Sequence, residues 1–109
     1  MALVSILLPA FQAEKTIHRA VRSVFLGSYS NFEIIVSSDD GRDYRNFIEV
    51  ADPRIRFTNV GPTKTGPGPA RNRAMEMAKG EFIAILDSDD EYSPNYLETL
   101  VPLAQTSGA

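Results

Sequence analysis

Gly80-Glu81-Phe82-Ile83-Ala84-Ile85-Leu86-Asp87-Ser88-Asp89-Asp90 is the stretch on which the fold turns. A glycine stop precedes a short apolar run, and four polar residues follow it without a spacer. A run of this length, continuously apolar rather than alternating, reads as a strand buried on both faces. Two further runs share the pattern. Val4-Ser5-Ile6-Leu7-Leu8 closes at Pro9, and Glu33-Ile34-Ile35-Val36-Ser37 runs into Asp39-Asp40-Gly41. Arg54-Ile55-Arg56-Phe57-Thr58 alternates instead, so it is expected nearer an edge.

Between the runs the period changes. Ile17, Ala20, Val21, Val24 and Phe25 recur at helical spacing, and Gly27 is a natural stop. Residues 43–50 could make a short helix with Tyr44, Phe47 and Ile48 inward. Gly61 to Pro69 carries three glycines and three prolines and is expected to be a mobile loop. A helix from about Pro69 to Lys79 follows. Ser93-Pro94 starts the last one, with Tyr96, Leu97, Leu100 and Val101 on its apolar face and Pro102 ending or kinking it. Strand and helix alternate throughout. The expected fold is α/β: a three-layer α/β/α arrangement, its mostly parallel sheet of about four strands covered by helices on both faces.

The chain has 109 residues, 43% of them hydrophobic and 23% charged, an ordinary globular composition for one small core. Eleven Lys and Arg face 14 Asp and Glu, a formal net charge of −3, which offers no footprint for nucleic acid. No cysteine is present, so disulfide scaffolds and thiolate chemistry are excluded. No stretch approaches the roughly 18 apolar residues of a membrane span, and the N-terminus lacks a basic leader. The expected location is the cytoplasm, with membrane association left to a longer parent protein.

Half of the acids crowd into two short groups: Asp39, Asp40 and Asp43, then Asp87, Asp89, Asp90 and Glu91. Like charges that close repel unless water or a cation compensates. In open parallel sheets, ligands bind beyond the carboxyl ends of the strands. Pro9-Ala10-Phe11, Asp39-Asp40-Gly41 and Asp87-Ser88-Asp89 all lie at such ends. Asp87 and Asp89 either cap the following turn or supply hard oxygen ligands to magnesium or manganese. Asp39 and Asp40 either form an Asp-Gly turn or accept from a base and a ribose. Arg71, early in its helix, either reaches a phosphate or makes a surface ion pair. Phe11 either stacks on a base or packs as a staple. Phe25, Phe57 and Phe82 are read as core, and His18, beside an apolar stripe, as a packing or solvated histidine.

Taken in order, Val4 to Phe11, Glu14, Ser23-Val24, Phe32 to Val36 with Asp39-Asp40-Gly41, Gly68 to Asn72, Gly80 to Asp90 and Pro94 resemble the family 2 glycosyltransferases of the GT-A fold. The resemblance implies a Rossmann-like, nucleotide-diphospho-sugar-binding N-terminal part over residues 1–109. It implies an inverting, metal-dependent transfer from a nucleoside-diphosphate sugar, a UDP-sugar, with Mn2+ or Mg2+ as cofactor. Pro9, Ala10, Phe11 and Glu14 would line the nucleoside pocket. Asp39 would bind the base with Asp40 close by, and Arg71 would lie near the diphosphate or hold an acidic residue. Asp87 and Ser88 would approach the ribose or sugar, and Asp89, with Asp87, would ligate the metal. Phe11 stands where the family often has tyrosine or asparagine, and Ser37-Ser38 where hydrophobic and acidic residues are frequent. The acceptor half and its general base are expected outside this chain, and the acceptor, whether glycan, lipid or protein, is not specified. The strand Glu81 to Leu86 then lacks a neighbour on one side, so association of copies through that edge or through the uncovered face is expected. A binding module that cannot turn over is the competing reading. A nucleotidyltransferase would want a glycine-rich phosphate loop where Pro9-Ala10-Phe11-Gln12 stands, and a receiver domain would want a fifth strand followed by lysine.

Overall fold

A computed structural model describes residues 1–59 and 61–107. Four strands and three helices follow in the order β1 (Val4–Ala10), α1 (Ile17–Phe25), β2 (Phe32–Ser38), β3 (Ile55–Thr58), α2 (Pro67–Met75), β4 (Phe82–Ile85) and α3 (Tyr96–Ser107), with no α-helix between β2 and β3 among the described residues. The sheet is parallel throughout, in the order β3-β2-β1-β4. All seven residues of β1 and of β2 are buried, as expected of strands covered on both faces. The α/β layering expected from the sequence is present.

The two faces of the sheet are unequal. Val4, Ile6, Leu8, Ile34, Val36, Ala84 and Leu86 pack with Ile17, Ala20, Val21 and Val24 of α1 and with Leu97 and Val101 of α3. On the other face Leu7 and Ile35 meet Ala74 of α2, flanked by Met77 and Ala78. Ala70 and Ala74 are fully buried, and side chains this small let α2 lie close to the sheet. α2 does not extend over β4. Ile83 and Ile85 stay 39% and 43% exposed, and β4 has no second neighbour among the described residues.

Register explains a proline in a central strand. Carbonyls of even-numbered β1 residues face β2, as when the Ala10 carbonyl accepts from Asp39 N at 2.8 Å. Odd-numbered residues face β4, as when the Leu7 carbonyl accepts from Leu86 N at 3.0 Å. Pairing with β4 ends at Leu7–Ile85, while β1 continues to Ala10 beside β2. Pro9 therefore turns its missing N–H towards a gap rather than a ladder partner. That gap lies between β1 and β4, where the strand order reverses.

A polar node at the opposite end of the sheet sets where β4 begins. Glu33 accepts from Ser5 Oγ (2.6 Å), Lys79 N (2.7 Å) and Arg56 Nη1 (2.8 Å). Burial raises the Glu33 carboxyl, but these donors outweigh it and hold the group below its ordinary value. Gly80 N donates to Ser5 Oγ at 2.8 Å, and a Cβ at Gly80 would sit 2.6 Å from Ser5 N. Only glycine lets the turn into β4 approach β1 so closely.

Several local expectations change. Residues 43–50 make only a 3-10 turn, Tyr44–Phe47, capped by Asp43, which accepts from Arg45 N. Tyr44 and Ile48 are buried, but Phe47 is 37% exposed. α2 starts at Pro67 rather than Pro69, because first-turn N–H groups have no helical partner and prolines forfeit nothing there. α3 neither ends nor begins where expected. It continues through Pro102 to Ser107, and Ser93-Pro94 forms only its entry turn, with Tyr96 N donating to the Ser93 carbonyl. Pro102 is exposed, so the Glu98 carbonyl that loses its helical donor can turn to solvent. Phe25, Phe57 and Phe82 are only partly buried at the margin of the core, and Tyr96 is 39% exposed. No described helix is long and apolar enough to cross a membrane.

Candidate functional site

The gap beyond β4 opens into a cleft of about 640 Å³. Pro9, Ala10, Phe11, Gln12, Ala13 and Thr16 line one wall, from the end of β1 to the start of α1. Asp39 lies at its floor at the end of β2. Lys64, Gly66, Pro67, Ala70 and Arg71 form a second wall, and Asp87, Ser88 and Asp89 close it at the end of β4. The carboxyl ends of three parallel strands thus meet where strand order reverses, the general position of ligand crevices in open α/β sheets. Eight of the ten residues singled out in the sequence share this cleft: Pro9, Ala10, Phe11, Asp39, Arg71, Asp87, Ser88 and Asp89.

Glu14 and Asp40 do not line it. Asp40 turns into the protein and accepts from Gln12 N (2.7 Å), Tyr44 Oη (2.6 Å), Arg42 N (3.0 Å) and Ser38 Oγ (3.1 Å). Glu14 is engaged by Arg42 Nη1 at 3.0 Å. Burial raises the Asp40 carboxyl, but the Tyr44 hydroxyl and the other donors hold it below its ordinary value. Tyr44 Oη also accepts from Ala13 N at 3.2 Å. Burial first, and then Asp40, pushes the Tyr44 phenol up, so it remains a neutral donor. Asp40 and Tyr44 together pin the β1–α1 loop, in which Gln12 has φ +50°, a left-handed conformation. Their place is under the cleft wall.

Asp39 is 3% exposed and ties down the loop opposite. Its Oδ1 accepts from Thr65 N (3.0 Å), Thr65 Oγ1 (2.7 Å) and Arg73 Nη2 (3.0 Å), and its Oδ2 from Gly66 N (2.9 Å). Its carbonyl accepts from Lys64 N at 2.6 Å. Burial raises the carboxyl, yet the donors of Thr65, Gly66 and Arg73 bring it down to about 2. The glycine-proline loop expected to be mobile is therefore anchored on one buried carboxylate. Arg73 and Thr65 were not picked out in the sequence. Two arginines flanking Asn72, one residue apart on each side, were the available sign that both faces of early α2 carry charge.

The second acidic group differs. Asp87 receives Arg71 Nη2 at 3.1 Å, and Asp89 is exposed with no side-chain partner among the described residues. The turn here closes through the backbone, Asp90 N to the Asp87 carbonyl at 3.0 Å, so neither side chain serves as its cap. Phe11 is 44% exposed on the cleft wall, which leaves its ring available for stacking. Lys64 and Arg71 are the cations of the lining. Tyr92 flanks the acidic turn, its hydroxyl donating to the outward-facing Ile85 carbonyl at 2.6 Å. His18 lies away from the cleft, beside Glu49.

No three Asp, Glu or His side chains gather into a metal-holding group among the described residues. Asp87 and Asp89 offer two hard-oxygen donors on one short turn. That set fits magnesium or manganese held jointly with water and phosphate oxygens, and does not fit an all-protein cage.

Comparison with known proteins places the chain in a family. A family model described as glycosyl transferase family 2 matches residues 5–109. The UDP-Glc:alpha-D-GlcNAc-diphosphoundecaprenol beta-1,3-glucosyltransferase WfgD of Escherichia coli is 41% identical over 103 residues, 93% of this chain and 40% of that protein. The GalNAc(5)-diNAcBac-PP-undecaprenol beta-1,3-glucosyltransferase of Campylobacter jejuni is 32% identical, over 95% of this chain and 35% of its own length. In structure the chain is similar to S. aureus TarS 1-349 in complex with UDP-GlcNAc, with TM-score 0.78 and 26% identity over 94% of this chain and 31% of that one. The chain thus spans well under half the length of the relatives it matches.

Proposed function

Because the chain belongs to glycosyl transferase family 2, we propose that residues 1–109 form the donor-binding part of a glycosyltransferase, taking a UDP-sugar into the cleft. The observation that carries this reading is the meeting of Phe11, Asp39, Lys64, Arg71, Asp87 and Asp89 in one concavity at the strand ends. Phe11 and the Pro9-Ala10 backbone would receive the nucleoside. Asp39 Oδ2, which accepts only from Gly66 N among the described residues, would also accept from the base, while the three donors on Oδ1 hold the loop. Lys64 and Arg71 would face the diphosphate. Asp89, with Asp87 as second ligand, would hold Mn2+ or Mg2+ together with phosphate oxygens. Such an ion neutralises charge gathering on a departing diphosphate. The transfer is proposed to invert the sugar carbon, on the family resemblance, with the general base outside residues 1–109. The acceptor is proposed to be a sugar on a polyprenyl diphosphate, the kind named for the Escherichia coli relative.

Calorimetry with UDP and manganese tests the site. Saturable binding lost in Asp89→Ala supports it, and its absence overturns the assignment for this chain. A donor-hydrolysis assay decides between enzyme and binding module: binding without hydrolysis selects the module.

Association of copies is proposed through β4. Its outer backbone groups and the exposed Ile83 and Ile85 offer an apolar edge that Tyr92 covers at one carbonyl only. Sedimentation should show a concentration-dependent dimer that Ile85→Lys weakens; a strict monomer at high concentration overturns it.

A further inference from the structure

Six of the eight arginines are in ion pairs: Arg42 with Glu14 and Asp40, Arg45 with Asp43, Arg54 with Asp52, Arg56 with Glu33, Arg71 with Asp87 and Arg73 with Asp39. The two without an ion pair among the described residues, Arg19 and Arg22, lie together on α1. Lys15, in the turn that leads into α1, and Leu26, its C-cap, continue the same line. Spacings of three and four residues keep Arg19, Arg22 and Leu26 within about 60° of one another around the helix axis, and Lys15 precedes Arg19 by four residues. Lys15, Arg19 and Arg22 are exposed, and Leu26 is 66% exposed. In a chain of net charge −3, uncompensated positive charge is thus gathered on one helix face.

The face has shape as well as charge. Arg19, Arg22 and Leu26 border a groove of about 330 Å³ against Glu91, Tyr92 and Pro94. Glu91 is the one acid on it and is not within ion-pair distance of either arginine among the described residues. The stripe starts at the cleft: Thr16, between Lys15 and Ile17, lines the cleft wall.

We propose that the outer face of α1 docks on an anionic lipid surface, with Lys15, Arg19 and Arg22 against headgroup phosphates and Leu26 inserted among the headgroups. Charge complementarity selects this occupant. Guanidinium groups pair well with phosphate oxygens, and each exposed basic residue near an anionic leaflet adds to the attraction. Docked this way, the Lys15 end of the stripe lies beside the cleft wall that Thr16 lines. The inference does not depend on the donor chemistry, since docking is read without nucleotide.

Co-sedimentation of the 109-residue chain with vesicles tests it, after a spin without lipid to remove self-associated protein. Equimolar phosphatidylglycerol and phosphatidylcholine vesicles should carry the chain down, and pure phosphatidylcholine vesicles should not. Arg19→Gln and Arg22→Gln should each lower partitioning about fivefold. Arg22→Lys should preserve binding, which separates lost charge from lost fold. Lys79→Gln removes the same charge from an exposed site off the stripe and should leave binding unchanged. Added salt should release the chain. Equal binding to both vesicle types, binding to neither, or an equal loss in Lys79→Gln overturns the proposal; binding to neither is also the outcome for an acidic protein partner.

Discussion

Asp39 and Asp40 directly follow β2, and Asp87 and Asp89 follow the shorter β4 after Leu86. The sequence treats the pairs alike, as acids directly after a buried apolar run. The fold treats them oppositely. Asp39 accepts four hydrogen bonds through its carboxylate and Asp40 accepts four, all from the protein. Asp87 accepts one, from Arg71, and Asp89 none among the described residues. A carboxylate held by several buried donors contributes to stability and shapes the site, whatever acceptor capacity it retains. One left half-solvated keeps its lone pairs for a ligand. Crowded acids therefore have two resolutions in this molecule. One is internal, by N–H and O–H groups; the other is deferred to whatever enters the cleft.

Substitution can break this contrast. The largest expected effect is at Asp39. Asp39→Asn leaves Arg73 buried without its partner, and denaturant unfolding should show a loss of about 3 kcal/mol. Acid should act through the same group. The folded carboxyl sits at about 2 against an ordinary 3.8. The stability it provides is full above about pH 4 and is lost as pH falls towards 2. Unfolding followed across that window should show the decline in the parent chain and a shallower one in Asp39→Asn. Tyr44→Phe removes a donor to Asp40 and an acceptor for Ala13 N, with an expected cost of about 1 kcal/mol. The smallest change in stability is expected at Asp89. Asp89→Ala should stay within about 0.5 kcal/mol of the parent, while manganese-dependent UDP binding is lost. Comparable destabilisation by Asp39→Asn and Asp89→Ala would erase the distinction between the two groups.

The sheet core could be read directly because continuous apolar runs admit few other readings. Val4 to Leu8 and Phe32 to Val36 carry the pattern of buried parallel strands, and the helical stripe of α1 is as clear. Phe82 to Leu86 carries the same pattern, yet only one of its faces is buried, since Ile83 and Ile85 lie where α2 does not reach. The rim was harder. Grouping Asp39 with Asp40 followed from adjacency, but neighbours on a chain leaving a strand point to different places. Asp39 faces the cleft and the loop, and Asp40 faces the β1–α1 turn. The loop before α2 is composed of residues that usually imply mobility, and nothing local announces the Thr65, Gly66 and Arg73 contacts with Asp39. Those contacts span 26 to 34 residues. Of the two readings of Pro102, an end or a kink, the end is ruled out: a helix held by Leu97 and Val101 in the core continues past one missing N–H on its exposed side.

By itself the sequence determined the layer order, the parallel sheet and the rim on which polar residues collect. Hydrophobic period and strand-end chemistry are local properties, and each is written within a few residues. Tertiary structure alone decided which acids are consumed by the fold and which remain for a ligand, because that depends on donors brought from distant segments. It also decided where the cleft opens. Pairing of β1 with β4 ends at Leu7 while β1 runs on to Ala10. The unpaired side of Pro9 becomes the cleft wall because no strand reaches it.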